Sequence, residues 1–205
     1  MRTLAILGAS GHGRVAADIA LQSGWDDIVF FDDNVAGRKN FEHWRFAGDT
    51  HTLFDSDGQY TGLFIAIGNS KVRKAKLTEL AAYKTPIATL IHPKAVVSPF
   101  ASIGEGSIVV AGAVINAFAK IGRGCIINTG ATVGHDCQLD ECVHIAPGAN
   151  IAGDVKIGQL TWIGIGSAIR QGITVGSNVT LGAGAALVRN AKDGEVLVGV
   201  PARPQ

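Results

Sequence analysis

An aliphatic residue recurs at every sixth position from Ile91 to Leu187. Ile91, Val97, Ile103 and Val109 open the series, Val175, Leu181 and Leu187 close it, and seventeen positions pass without a miss. Four residues after each member comes a second inward position, small or β-branched over most of the series: Ala95, Ala101, Ser107, Ala113, Ala119, Cys125, Ala131. A hexapeptide period is the mark of a parallel β-helix. Three hexapeptides close one roughly triangular coil, with the large aliphatic residue inward on each face and the small one inward near a corner. Gly, Asn and Asp fill the turns because they tolerate unusual backbone angles. With strands about 4.8 Å apart, the prism is expected to stand roughly 25–27 Å tall. No long insertion interrupts the coils.

The front half follows a different pattern. Thr3 to Leu7 is a short apolar run and predicts a buried strand. Gly8-Ala9-Ser10-Gly11-His12-Gly13 follows, and Arg14 to Gln22 has helical spacing with Gly24 as its stop. Ile28 to Phe31 predicts a second strand ending in Asp32-Asp33, Leu63 to Ile67 a further strand followed by Gly68-Asn69, and Lys71 to Tyr83 a polar-faced helix. The stretch from Asn34 to Tyr60 reads mostly as loop. Strand–helix–strand alternation with a Gly-rich first turn predicts a small α/β domain of Rossmann-like type. The expected division is 1–88 for this domain and 89–205 for the β-helix.

Composition narrows the function. The formal net charge of +1 gives a nucleic-acid partner no electrostatic support. No apolar run approaches the roughly 18 residues of a membrane span, and the start reads as strand and loop rather than a signal peptide. Three cysteines make an odd count without a C-x-x-C. Buried free thiols in a reducing cytoplasm are the expectation, and no metal is expected.

Two segments carry candidate chemistry. Glycines in the first turn let backbone amides approach a phosphate at a helix N-terminus. Asp32 or Asp33 could bond a ribose or sugar hydroxyl, while His12 could contact a ligand or be an exposed loop histidine. About eighty residues suit a mononucleotide or nucleotide sugar better than a dinucleotide, although a lone Gly-rich turn also occurs without any ligand. Within the repeat, Gly134-His135-Asp136-Cys137 sets an imidazole beside a carboxylate. Acyl transfer needs such a pair: a neutral His removes a proton near pH 7, and the acid orients the ring. His144, half a coil on, belongs to another face and is expected to meet His135 only across a subunit boundary.

With G-A-S-G-H-G, a strand ending in D-D, then F-I-A-I-G-N, I-H-P, a hexapeptide prism with an H-D-C segment, and the closing Gly199-Val200-Pro201-Ala202-Arg203, the chain resembles the PglD/NeuD-type sugar acyltransferases from end to end. The resemblance implies a left-handed β-helix, a cytoplasmic homotrimer with sites between subunits, acetyl-CoA as co-substrate, and a nucleotide-linked 4-amino-4,6-dideoxy sugar as acceptor, UDP-linked in the nearest relatives. It implies His135 as general base and Asp136 as the acid behind it, where some relatives carry Glu. Ser10, Gly11, His12, Asp32 and Asp33 match the turn and strand end that hold the nucleotide sugar, with Gly68, Asn69 and Arg73 as further candidates. His144, Ile165 and Ala183 match positions along the acetyl-CoA groove, and Gly153 and Gly164 would let the pantetheine arm approach the backbone.

Other readings stay open on the sequence. An O-acetyltransferase of sialic-acid type would use the same prism chemistry, and a GDP-linked amino sugar could replace the UDP-linked one. A hexapeptide-repeat carbonic anhydrase would need His92, His135 and His144 to converge on zinc. A scaffold protein would have no coenzyme A affinity.

Overall fold

The computed structural model describes residues 1–34 and 39–205. The chain divides into two compact units, Met1–Pro93 and Lys94–Gln205.

In the first unit, β1 (Thr3–Leu7), β2 (Asp27–Phe31), β3 (Asn40–Phe41), β4 (Trp44–Gly48) and β5 (Gly62–Ile65) form one sheet in the order β3-β4-β2-β1-β5. β1 lies parallel to β2 and β5, and β4 lies parallel to β2, whereas the short β3 runs antiparallel to β4. Helices α1 (Gly11–Gln22), α2 (Thr50–Asp55) and α3 (Ser70–Glu79) complete it. β1 and β2 are buried from Leu4 to Leu7 and from Ile28 to Phe31, as a strand covered on both faces must be. The tight β1–α1 turn depends on Gly8, at φ 118°, where a Cβ would lie 2.6 Å from the carbonyl oxygen of Ala66.

The stretch expected to be loop carries more structure than its polarity suggests. β3, β4 and α2 all fall within it, and its residues 35–38 lie outside the described residues. β4 is held by pairing with β2, Val29 opposite Arg45 and Phe30 opposite Phe46. Phe41 packs edge-on against Phe30, with ring centroids 4.8 Å apart. Asp49 caps α2 by accepting the Thr52 amide at 2.8 Å. This order comes from tertiary pairing, which local propensity does not report.

The second unit is a left-handed parallel β-helix of two-residue strands stacked eighteen residues apart. On one face Ile126 pairs with His144, His144 with Trp162, and Trp162 with Thr180. On another, Val96, Val114, Thr132, Asn150, Ala168 and Ala186 line up. The aliphatic series from Val109 to Leu187 is buried in one continuous core, with Cys125 and Cys137 among its small members. The earliest members are not enclosed: Ile91 is 37% exposed and belongs to the first unit. At the other end Val196–Val198 turns back antiparallel to Arg203–Pro204, and the Ala202 amide bonds the Ala186 carbonyl at 2.8 Å, closing the stack.

Candidate active site

Two regions carry chemistry, one in each unit. In the first, a cleft of about 280 Å³ opens at the ends of β1, β2 and β5. Ser10, Asp32, Asp33 and Gly68 line it, with Thr50, Val72 and Lys76 from α2 and α3. A crevice beyond the C-terminal ends of parallel strands is where open α/β sheets bind ligands. Asp32 ties the Gly-rich turn to β2, accepting the Ala9 and Asn34 amides at 2.8 Å each. Asp33 receives the amide and the hydroxyl of Thr50 at 2.8 and 2.9 Å. Each carboxylate oxygen retains acceptor capacity for a ligand hydroxyl. Ser10 is the N-cap of α1 yet makes no side-chain cap bond, and Gly11 has open space where a Cβ would stand.

The remaining front candidates do not line this cleft. The Asn69 side chain caps α3, accepting the Lys71 and Val72 amides. Arg73 is buried and donates to the carbonyls of Ile67 and Gly68 at 2.7 and 2.9 Å, which shapes the loop after β5. Val72 and Lys76 were not singled out from the sequence, although they lie four residues apart on one face of α3.

His12 turns inward. Its Nε2 is buried without a hydrogen-bond partner. Burial, and after it the charge of Arg73, pushes the imidazole down from the usual 6.5 to about 4. The unfolded chain therefore binds more protons than the folded one between these two values, so stability is full above the upper value and falls as pH drops toward the lower. The expected result is a melting temperature that declines from pH 7 to pH 4 more steeply in the native protein than in His12→Gln. Parallel curves would show that His12 does not titrate in this way.

The prism holds the imidazole–carboxylate pair. His135 Nδ1 lies 2.8 Å from Asp136 Oδ2, and both side chains are more than half exposed. A carboxylate only accepts, so Nδ1 carries the hydrogen, and in the neutral ring that leaves the lone pair on Nε2. Asp136 has φ 60°, a left-handed conformation that Asp tolerates. The coils on either side pin the turn: the Asp136 amide bonds Ala117 O at 3.1 Å, and the Asp154 amide bonds His135 O at 2.9 Å. The His135 ring lies directly over Gly153, so a Cβ there would meet Nε2 and stand 2.6 Å from Cε1. Gly153, read from the sequence as a channel for pantetheine, thus also seats the imidazole. Gly164 has a different reason again: a Cβ would come 2.5 Å from Leu181 O and 2.7 Å from Ala183 N of the next coil.

The remaining prism candidates group elsewhere. His144 is buried, its Nε2 3.2 Å from Asn128 Nδ2 and its ring 4.1 Å from that of Trp162. Ile165 and Ala183 are exposed one coil apart on a shared corner, where the Gly184 amide bonds Ile165 O at 2.8 Å. His135 and Gly153 occupy another corner, so one prism does not bring the two groups together. Beside the pair, burial raises the Cys137 thiol, whose Sγ donates to Ala152 O. Among the described residues no cluster of three or more His, Cys, Asp or Glu side chains is placed to hold a metal, and no helix is long and apolar enough to cross a membrane.

Comparison with known proteins agrees with this fold. Residues 3–80 match the PglD N-terminal domain, and residues 118–153 and 154–189 match the bacterial transferase hexapeptide. The acetyltransferase domain of PglB from Neisseria gonorrhoeae, solved with acetyl coenzyme A, is 43% identical with a TM-score of 0.94, over 100% of this chain and 99% of that one. PerB from Caulobacter crescentus, solved with CoA and GDP-perosamine, is 33% identical with a TM-score of 0.94, over 100% and 98%. A UDP-N-acetylbacillosamine N-acetyltransferase of Bacillus subtilis is 36% identical over 114 residues, which is 54% of this chain and about half of that protein, 52%. These end-to-end matches, together with the hexapeptide prism, place the chain among acetyl-transferring enzymes. The chain belongs to the PglD/NeuD-type sugar acyltransferases of the hexapeptide-repeat superfamily.

Proposed function

We propose that the protein transfers the acetyl group of acetyl-CoA to the 4-amine of a UDP-linked 4-amino-4,6-dideoxy sugar, as a cytoplasmic homotrimer. The observation that carries this reading is the 2.8 Å His135–Asp136 contact on an exposed prism edge. The uncharged amine attacks the thioester carbonyl carbon as His135 Nε2 takes the proton the nitrogen sheds. Asp136 holds the ring through Nδ1 and stabilises the imidazolium. A backbone N–H of the prism supplies a donor to the tetrahedral oxyanion. The C–S bond then breaks, and the leaving sulfur takes the proton back from His135. Cys137 is no covalent relay, because its raised, buried thiol is a poor nucleophile.

The front cleft suits a nucleotide: Asp32 and Asp33 offer acceptors for hydroxyls, and Lys76, which pairs with Glu79 at 2.9 Å, is the cation along its wall that a phosphate would draw away from that partner. The two separate corners support a site shared between copies, as the proposed trimer requires. His135 and Gly153 of one copy would complete a reacting centre with the His144, Ile165 and Ala183 groove of its neighbour. Relatives solved with acetyl-CoA, or with CoA and GDP-perosamine, support both ligand classes. A thiol-release assay with acetyl-CoA against UDP- and GDP-linked 4-amino sugars, and their 4-hydroxy counterparts, tests the reading. Release is expected with the UDP-linked amines, whereas release confined to hydroxyl acceptors would establish an O-acetyltransferase instead.

A further inference from the structure

Phe118 stands exposed at a prism corner with φ 62°, a left-handed conformation that disfavours a bulky aromatic side chain. Its own corner column, read in eighteen-residue steps, continues with Asp136, Asp154 and Gly172, all residue types that accept this conformation more readily. Phe100 lies against Phe118, ring centroids 5.6 Å apart and planes 26° from parallel, and the two rings are 66% and 58% exposed. Backbone held in an unfavourable region beside reacting groups is a pointer to function. Phe118 shares an open cleft of about 640 Å³ with Asp136, which holds the His135 ring, and with Lys120, Gln138 and Asp154.

We propose that Phe118, backed by Phe100, is the platform on which the apolar face of the acceptor sugar rests, and that it selects a 6-deoxy sugar over its 6-hydroxy counterpart. The inference rests on the functional reading above. The position favours the acceptor over the donor: Phe118 precedes the His135–Asp136 coil, while Gly153, Gly164, Ile165 and Ala183 all follow it. An amino-dideoxy hexose presents a C6 methyl and ring C–H groups to such a surface, and Lys120, Gln138 and Asp154 supply polar partners for its hydroxyls. Thus the ring positions the amine in front of His135, and desolvating a 6-hydroxyl on the same surface costs affinity.

The test compares Phe118→Asn and Phe118→Tyr with the native enzyme, by steady-state kinetics for each substrate, thermal melting and solution mass. Asn relieves the left-handed strain, so this variant is expected to melt no lower than the native protein. Its acceptor KM is expected to rise about tenfold, with the acetyl-CoA KM unchanged and the preference for the 6-deoxy acceptor reduced. Phe118→Tyr, which keeps the aromatic face, is expected to raise the acceptor KM much less than Phe118→Asn does. An unchanged acceptor KM, a rise in the acetyl-CoA KM instead, or a fall in solution mass would each overturn the platform, the last by assigning the pair to a contact between copies. A native enzyme inactive on every nucleotide-linked 4-amino sugar would overturn the functional reading first, and this inference with it.

Discussion

His135→Ala is expected to lower kcat by about 10²–10⁴-fold, the range of a lost general base. The KM values for acetyl-CoA and acceptor should stay near native. The imidazole is exposed on the prism edge and contributes nothing to the core, so the variant should melt like the native protein. What it loses is the Nε2 lone pair that receives the amine proton, and water at that position is neither held by Asp136 nor matched in basicity. Steady-state kinetics together with a melting curve checks this, and turnover within a few-fold of native would remove His135 from the mechanism.

Gly153→Ala is expected to lower kcat by about 10²-fold, because a methyl at this position must push the His135 ring aside and a displacement near 1 Å costs that much. The contact is with Nε2 and Cε1 of the ring itself, while the 2.8 Å bond to Asp136 holds the opposite side. The imidazole therefore cannot yield without leaving its partner or its aim. The decisive comparison is the double variant. In a His135→Ala background the ring is gone, and Gly153→Ala should cost little more, so the two losses are far from additive. Full additivity, or a matching rise in the acetyl-CoA KM, would show that Gly153 serves the pantetheine arm and not the base.

The prism was legible because its information is local and repeated. An aliphatic residue every six positions needs no distant partner to be read, and Val109 to Leu187 are buried in one core. The His135–Asp136 pair was legible for a related reason: the two residues are neighbours in the chain, so no distant partner had to be found. Roles that depend on stacking were harder. Gly153 is eighteen residues from His135, one whole coil, and only counting by coils shows that it lies beneath the ring. Gly164 was assigned to the cofactor, although its own coil neighbours at Leu181 and Ala183 already forbid a side chain. Arg73 was a candidate for holding the nucleotide sugar, yet it is buried on the carbonyls of Ile67 and Gly68, acceptors that no side-chain pattern displays. Likewise Trp44 to Gly48 shows little strand signal and is ordered by β2 beside it.

A crystal structure of the native enzyme with coenzyme A and an unacetylated UDP-linked 4-amino sugar captures a dead-end complex, since no acetyl group is present to transfer, and leaves His135 intact. The sugar's 4-amine nitrogen is predicted to lie about 2.6–3.2 Å from His135 Nε2, with the coenzyme thiol on the amine's far side. An amine bound beyond the reach of that imidazole, with no single water joining them, would contradict the account.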